Sequence, residues 1–175
     1  MKKVLVVAAF FLPILLYGFD LVTEIGYSYA TPTGWNLGLG AWQDGFEADV
    51  NVTFFFGKET EYEFNVFTFL PLIPIGPLSL GVTANFFRGN FADRDRGALG
   101  MGIRLYAGAF SVIATFTTPI YPSSAEFDAS MDFYFRLRYF LRPPPGRYFK
   151  DRLYFSLTYS GQSYRVTAGL MEPLP

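Results

Sequence analysis

The sequence predicts an all-β protein: one antiparallel up-and-down barrel of about ten strands, with eight as the fallback count, behind an N-terminal export signal. Three observations predict it. Hydrophobicity repeats every two residues from Phe19 to Leu170, turn residues punctuate the alternating stretches, and the chain opens on two lysines followed by a short apolar run.

Lys2 and Lys3 form a positive start, Val4 to Leu16 carries no charge, and Tyr17-Gly18 offers a small residue for cleavage before Phe19. That is the layout of a secretory signal peptide, and the run is short for a membrane span. Residues 1–18 are therefore assigned to the signal and 19–175 to a single β-barrel domain. Cleavage there would move the formal charge from −1 to −3, a balance that favours neither nucleic acid nor polyanions as partners.

The clearest strand is Phe46 to Phe56. Phe46, Ala48, Val50, Val52, Phe54 and Phe56 face one way, and Glu47, Asp49, Asn51 and Thr53 face the other. A helix would scatter those acids, whereas a strand puts them on one face. The same alternation marks 21–29, 36–40, 61–70, 78–86, 99–105, 110–117, 127–139, 153–159 and 164–170. Asp44-Gly45, Gly57-Lys58, Ala107-Gly108 and Ser160-Gly161 are tight-turn signals. Longer breaks are expected at Pro71–Pro77, Arg88–Gly97, Thr118–Glu126 and Arg142–Lys150.

Alternation alone fits two opposite objects. A soluble sheet turns its apolar face inward, whereas a membrane barrel turns it to lipid and its polar face to the lumen. Composition favours the membrane: the chain is 51% hydrophobic, 20% aromatic and only 17% charged, below the roughly 25% of an ordinary soluble domain. Lys58 and Lys150, the only lysines after the leader, both fall in turn segments, so the strands carry none. A ten-residue strand rises about 33 Å and spans about 23 Å when tilted near 45°, close to the apolar band of an outer membrane. Phe19, Tyr29, Phe46, Phe56, Tyr62, Phe86, Tyr139, Tyr159 and Tyr164 lie near strand ends, where interfacial aromatics collect.

On the polar face, acids fall on early strands (Glu24, Glu47, Asp49, Glu61, Glu63). Arginines fall on late ones (Arg104, Arg136, Arg138, Arg165), with Asp132 on the face of Arg136 and Arg138. In a closed lumen these sets are expected to pair as a charge network, and Glu24 and Arg165 lie on the two strands that must meet to close the barrel.

With these features the chain resembles the small outer-membrane β-barrel proteins of Gram-negative-type bacteria. The resemblance is one of pattern over Phe19–Leu170, without a specific motif. It implies an outer-membrane location, with membrane lipid and the outer-membrane assembly machinery as partners. A barrel this small, filled by Phe67, Phe69, Tyr134 and charged pairs, suits a structural or adhesion-type role, or at most a narrow pore. The competing class is an exported soluble barrel that holds an apolar ligand inside, as lipocalin-like proteins do.

The chain has no histidine and no cysteine. That excludes Ser-His-Asp and His-paired nucleophiles, thiolates and histidine metal sites, and no cofactor or metal is expected. The enzymes the resemblance brings with it (phospholipases, lipid A acyltransferases and deacylases, omptin proteases) depend on histidine, so the chain is read as a non-enzyme. The carboxylate pairs Glu61/Glu63 and Glu47/Asp49 are the remaining chemistry, for general acid–base work or a hard cation. A lumenal salt-bridge network is the simpler reading of both. The run Asp93-Arg94-Asp95-Arg96 is expected to be a solvated loop with self-paired charges.

Overall fold

The structure, a computed structural model, describes residues 19–29, 33–43, 45–56, 61–89, 95–122, 124–141, 152–160 and 163–173. Ten antiparallel strands form it: β1 (Asp20–Tyr29), β2 (Gly34–Gln43), β3 (Phe46–Phe55), β4 (Glu61–Ile75), β5 (Leu78–Gly89), β6 (Arg96–Ala107), β7 (Phe110–Tyr121), β8 (Phe133–Phe140), β9 (Arg152–Ser160) and β10 (Ser163–Pro173). Each strand pairs with its neighbours in sequence, and β10 pairs with β1, so the sheet closes into a barrel. Closure leaves no edge through the middle of the sheet, which removes the usual route to edge-to-edge association.

The strand ends at Asp20 and Pro173 and the β2–β3, β4–β5 and β6–β7 turns lie at one end of the barrel, called proximal below; the opposite end is distal. The register is staggered. From Ser28, paired residues lead through Arg165, Thr158, Arg136, Ile113, Arg104 and Ser79 to Pro74 on β4. The other way round, Gly34 and Phe55 lead to Glu61 on the same strand. A barrel closed with such an offset must tilt its strands against its axis, typically by about 35–45°.

The polarity of the two faces is the reverse of a water-soluble core. Lumen positions hold Asn36, Asp49, Asn51, Thr115, Arg136 and Thr167, all buried, whereas Leu37, Leu39, Leu99, Met101, Phe155 and Leu170 are exposed on the outer wall. Among the described residues, the outward positions between the two rims carry no charged side chain; Arg88 and Glu172 sit at the rims. Aromatics gather outside at the distal end, where Tyr27 contacts Tyr29, Trp35 and Phe56, and Phe133, Tyr159 and Tyr164 form a chain. Phe19–Phe46 and Phe110–Tyr139 mark the proximal end.

Three segments differ from the sequence reading; the start of the expected break at Thr118–Glu126 continues β7 as far as Tyr121. Pro71–Pro77, expected to be a long break, is mostly strand: β4 runs on to Ile75, the register slips between Pro71 and Ile73, and Gly76-Pro77 makes the turn with Gly76 at φ +60°. Proline fits here because β3 ends its pairing with β4 at Phe69, so the missing N–H groups break no ladder on that side. The stretch 127–139 is strand only from Phe133; Ala129–Asp132 is a helical turn, α1, in which the Asp132 amide donates to the Asp128 carbonyl. The leader 1–18, Lys58, Lys150, Asp93, Arg94 and the expected break at 142–150 lie outside the described residues.

Candidate functional site: a buried ionic layer across the lumen

Period-two alternation aims every second residue of β1, β3, β6 and β8 at the barrel axis, and six charged side chains meet there. Glu47 is the hub. Its carboxylate accepts from Arg104 and Arg136, and from Arg138 Nη2 at 3.1 Å. Arg136 also donates to Asp49, and its Nε donates to Thr158 Oγ1 at 3.2 Å. Arg138 Nη2 reaches Glu24 at 3.3 Å, and the Tyr154 hydroxyl donates to the same Glu24 oxygen at 2.6 Å. Arg104 Nη1 donates to the Gly45 carbonyl at 2.5 Å and to Tyr106 Oη at 3.1 Å. Three carboxylates and three guanidinium groups therefore balance in a volume shielded from solvent, which is the condition under which buried charges are tolerated.

Aromatic faces brace the same arginines. Arg138 lies 4.5 Å from the Tyr154 ring centroid, Arg104 5.3 Å from that of Phe69, and Arg136 5.4 Å from that of Tyr134. Tyr134 stacks on Phe67 at 3.8 Å, 7° from parallel. On the proximal side the layer rests on a buried cluster of Val22, Trp42, Phe140, Tyr154 and Met171, where Trp42 stacks on Phe140. The lumen is thus crossed by an aromatic plug, the ionic layer and the Phe67–Tyr134 stack in turn.

Glycine makes the room. A Cβ on Gly40 would stand 2.4 Å from Asp49 Oδ1, and one on Gly169 would stand 2.3 Å from Tyr154 Cζ. Neither position, nor Tyr154 itself, was marked as part of the site by its type. The signal available was their lumen-facing parity, with Gly40 opposite Asp49 and Gly169 opposite Glu24.

The remaining predicted site residues lie elsewhere. Arg165 is buried in the lumen, but Glu24 faces Gly169 across β1–β10 while Arg165 faces Ser28. Glu24 and Arg165, on the two strands that close the barrel, therefore sit out of register with each other, and Glu24 meets Arg138 instead. Arg165 Nη1 and Nη2 make no hydrogen bond to the protein, and Glu63, also buried, acts on it electrostatically. Asp132 takes both oxygens to Arg96, at 3.0 and 2.5 Å, which ties α1 to the distal end of β6. Arg96 is thus the first residue of β6 rather than part of a self-paired loop, while Asp95 lies 3.8 Å from Arg88 at the surface. The side chain of Glu61 lies outside the described residues.

Chemically, the layer is a lock. The carboxylates of Glu47 and Asp49 are engaged by arginines inside the barrel and are almost fully buried. Among the described residues no cluster of acids could hold a metal ion. No protein-family model, curated protein or solved structure matches the chain.

Proposed function

We propose that the chain is an exported protein whose barrel spans a bacterial outer membrane, with a closed lumen and a structural or adhesion-type role. One observation carries this reading: among the described residues the outer wall is apolar and free of charge between its rims while the lumen holds the ions. In water, such a wall would expose far more contiguous apolar surface than soluble monomers carry. In lipid, it is the polarity a transmembrane barrel requires. The closed lumen argues for a scaffold above a pore, since the ionic layer and the aromatic plug fill successive sections of it. It also argues against an apolar ligand inside, which would meet guanidinium and carboxylate groups.

Leu39→Arg tests the reading. Leu39 is 61% exposed on the wall of β2. Facing lipid near mid-membrane, the new charge is expected to cost roughly 2–4 kcal/mol of folding stability in bilayers. In a water-soluble barrel the same change at an exposed site would be close to neutral, and that outcome would reject the proposal.

A further inference from the structure

The proximal rim is uneven. Strand β4 runs on beyond the end of its pairing with β3 at Phe69, and the β4–β5 and β6–β7 turns are apolar: Leu72-Ile73-Pro74-Ile75-Gly76-Pro77 and Ala107-Gly108-Ala109. No charged residue occurs between Glu63 and Arg88. Across the barrel, the same rim carries Asp20 and Glu172 at the ends of β1 and β10. We propose that the tip of the β4–β5 hairpin is seated among the acyl chains of the proximal leaflet, as a wedge continuous with the outer wall. This rests on the membrane-spanning reading given above.

Three features point to lipid as the occupant. First, the exposed side chains of Leu72, Ile73 and Ile75, each more than half accessible, run without interruption into Leu70 and Val82 on the outer wall. Second, the tip has few backbone groups left to satisfy. Pro71, Pro74 and Pro77 have no N–H, and the Pro77 carbonyl accepts from the Tyr106 amide at 2.9 Å. Unsatisfied backbone groups are what bars most turns from hydrocarbon. Third, the tip is convex: a Cβ on Gly76 would meet nothing within 4 Å. A second copy or a partner strand would need N–H donors along the free edge of β4, and the prolines at 71 and 74 remove two of them. One consequence is that the apolar wall is taller at the β4–β5 hairpin, so the barrel would tilt or locally thicken the bilayer to cover it.

The absence of cysteine makes the test clean, since any introduced thiol is unique. Ile75→Cys, Leu39→Cys and Glu172→Cys are labelled with an environment-sensitive fluorophore and reconstituted in phosphatidylcholine vesicles. Quenching is then read with a lipid bearing a nitroxide midway along its acyl chain, and separately with aqueous iodide. The expected result is that the Ile75 label loses fluorescence to the nitroxide lipid to the same extent as the Leu39 label, while the Glu172 label responds to iodide. Iodide quenching at Ile75 with lipid quenching at Leu39 would overturn the wedge and leave the membrane reading standing. Protection of Ile75 from both quenchers would mean protein covers the tip, and would overturn it too. Iodide quenching at Leu39 would bring down the membrane reading itself, and the wedge with it.

Discussion

Arg136 on β8 and Glu47 on β3 are bonded across the full width of the barrel: five strand-to-strand steps separate them in either direction round the ring. The pair is a strut. Neighbouring strands are already held by backbone ladders, so a bond between opposite walls constrains what those ladders leave free, the roundness of the cross-section.

Removing the hub should therefore be costly. Glu47→Ala leaves three buried guanidinium groups short of a carboxylate, and a loss of roughly 3–5 kcal/mol is expected for breaking a buried ion pair this way. Urea unfolding of the reconstituted barrel, followed by fluorescence of Trp42 beside Arg104, measures it. Arg136→Met alone should also destabilise. Combined with Glu47→Leu it should cost less than the sum of the two, by about 0.5–3 kcal/mol. Additive losses would mean that the two walls are not coupled.

Arg165 should behave differently although it is just as buried. Its terminal nitrogens make no hydrogen bond to the protein, so Arg165→Met removes a desolvated charge and forfeits little. The expected change lies between about −1 and +1 kcal/mol, since an unsatisfied buried group contributes mainly its desolvation cost. The same urea titration decides this, with Arg136→Met as the internal contrast.

Gly169→Ala places a methyl against Tyr154, the residue that donates to Glu24. Overpacking of this kind typically costs about 1–3 kcal/mol, and here it should also weaken the hold on Glu24. Gly76→Ala meets no neighbouring atom, but its φ of +60° suits glycine. That substitution should cost about 1 kcal/mol through the backbone alone. Thermal unfolding in micelles would rank the two.

Much of this architecture was legible in the sequence because each strand separates two environments, and a period of two records that separation residue by residue. Phe46–Phe56 announced both the strand and its two faces. The proline-rich end of β4 did not, since Pro71 and Pro74 read as a break until the absence of a β3 partner beyond Phe69 is known. Phe127–Asp132 kept a strand-like alternation by composition, yet Arg96 and the Asp128 backbone hold Asp132 in a helical turn. Which charges face the lumen was readable; which of them meet was not. That depends on the stagger of the closed sheet, which sets Glu24 against Arg138 and leaves Arg165 opposite Ser28.

The closed lumen proposed above has an electrical consequence. Barrels inserted in a planar bilayer are expected to show no steady conductance. Trp42→Ala with Phe140→Ala should not create one, because the ionic layer still spans the lumen behind the plug. Stable, voltage-independent current through the unmodified protein would contradict the scaffold role in favour of a narrow pore.

The most direct test of the central claim is where the protein fractionates and how it migrates. The full chain, expressed in a Gram-negative host, is predicted in the detergent-extracted outer-membrane fraction. There it should run on an SDS gel at one mobility when unheated and another after boiling, as closed transmembrane barrels do. Recovery in the soluble periplasmic fraction, with a single mobility, would contradict it.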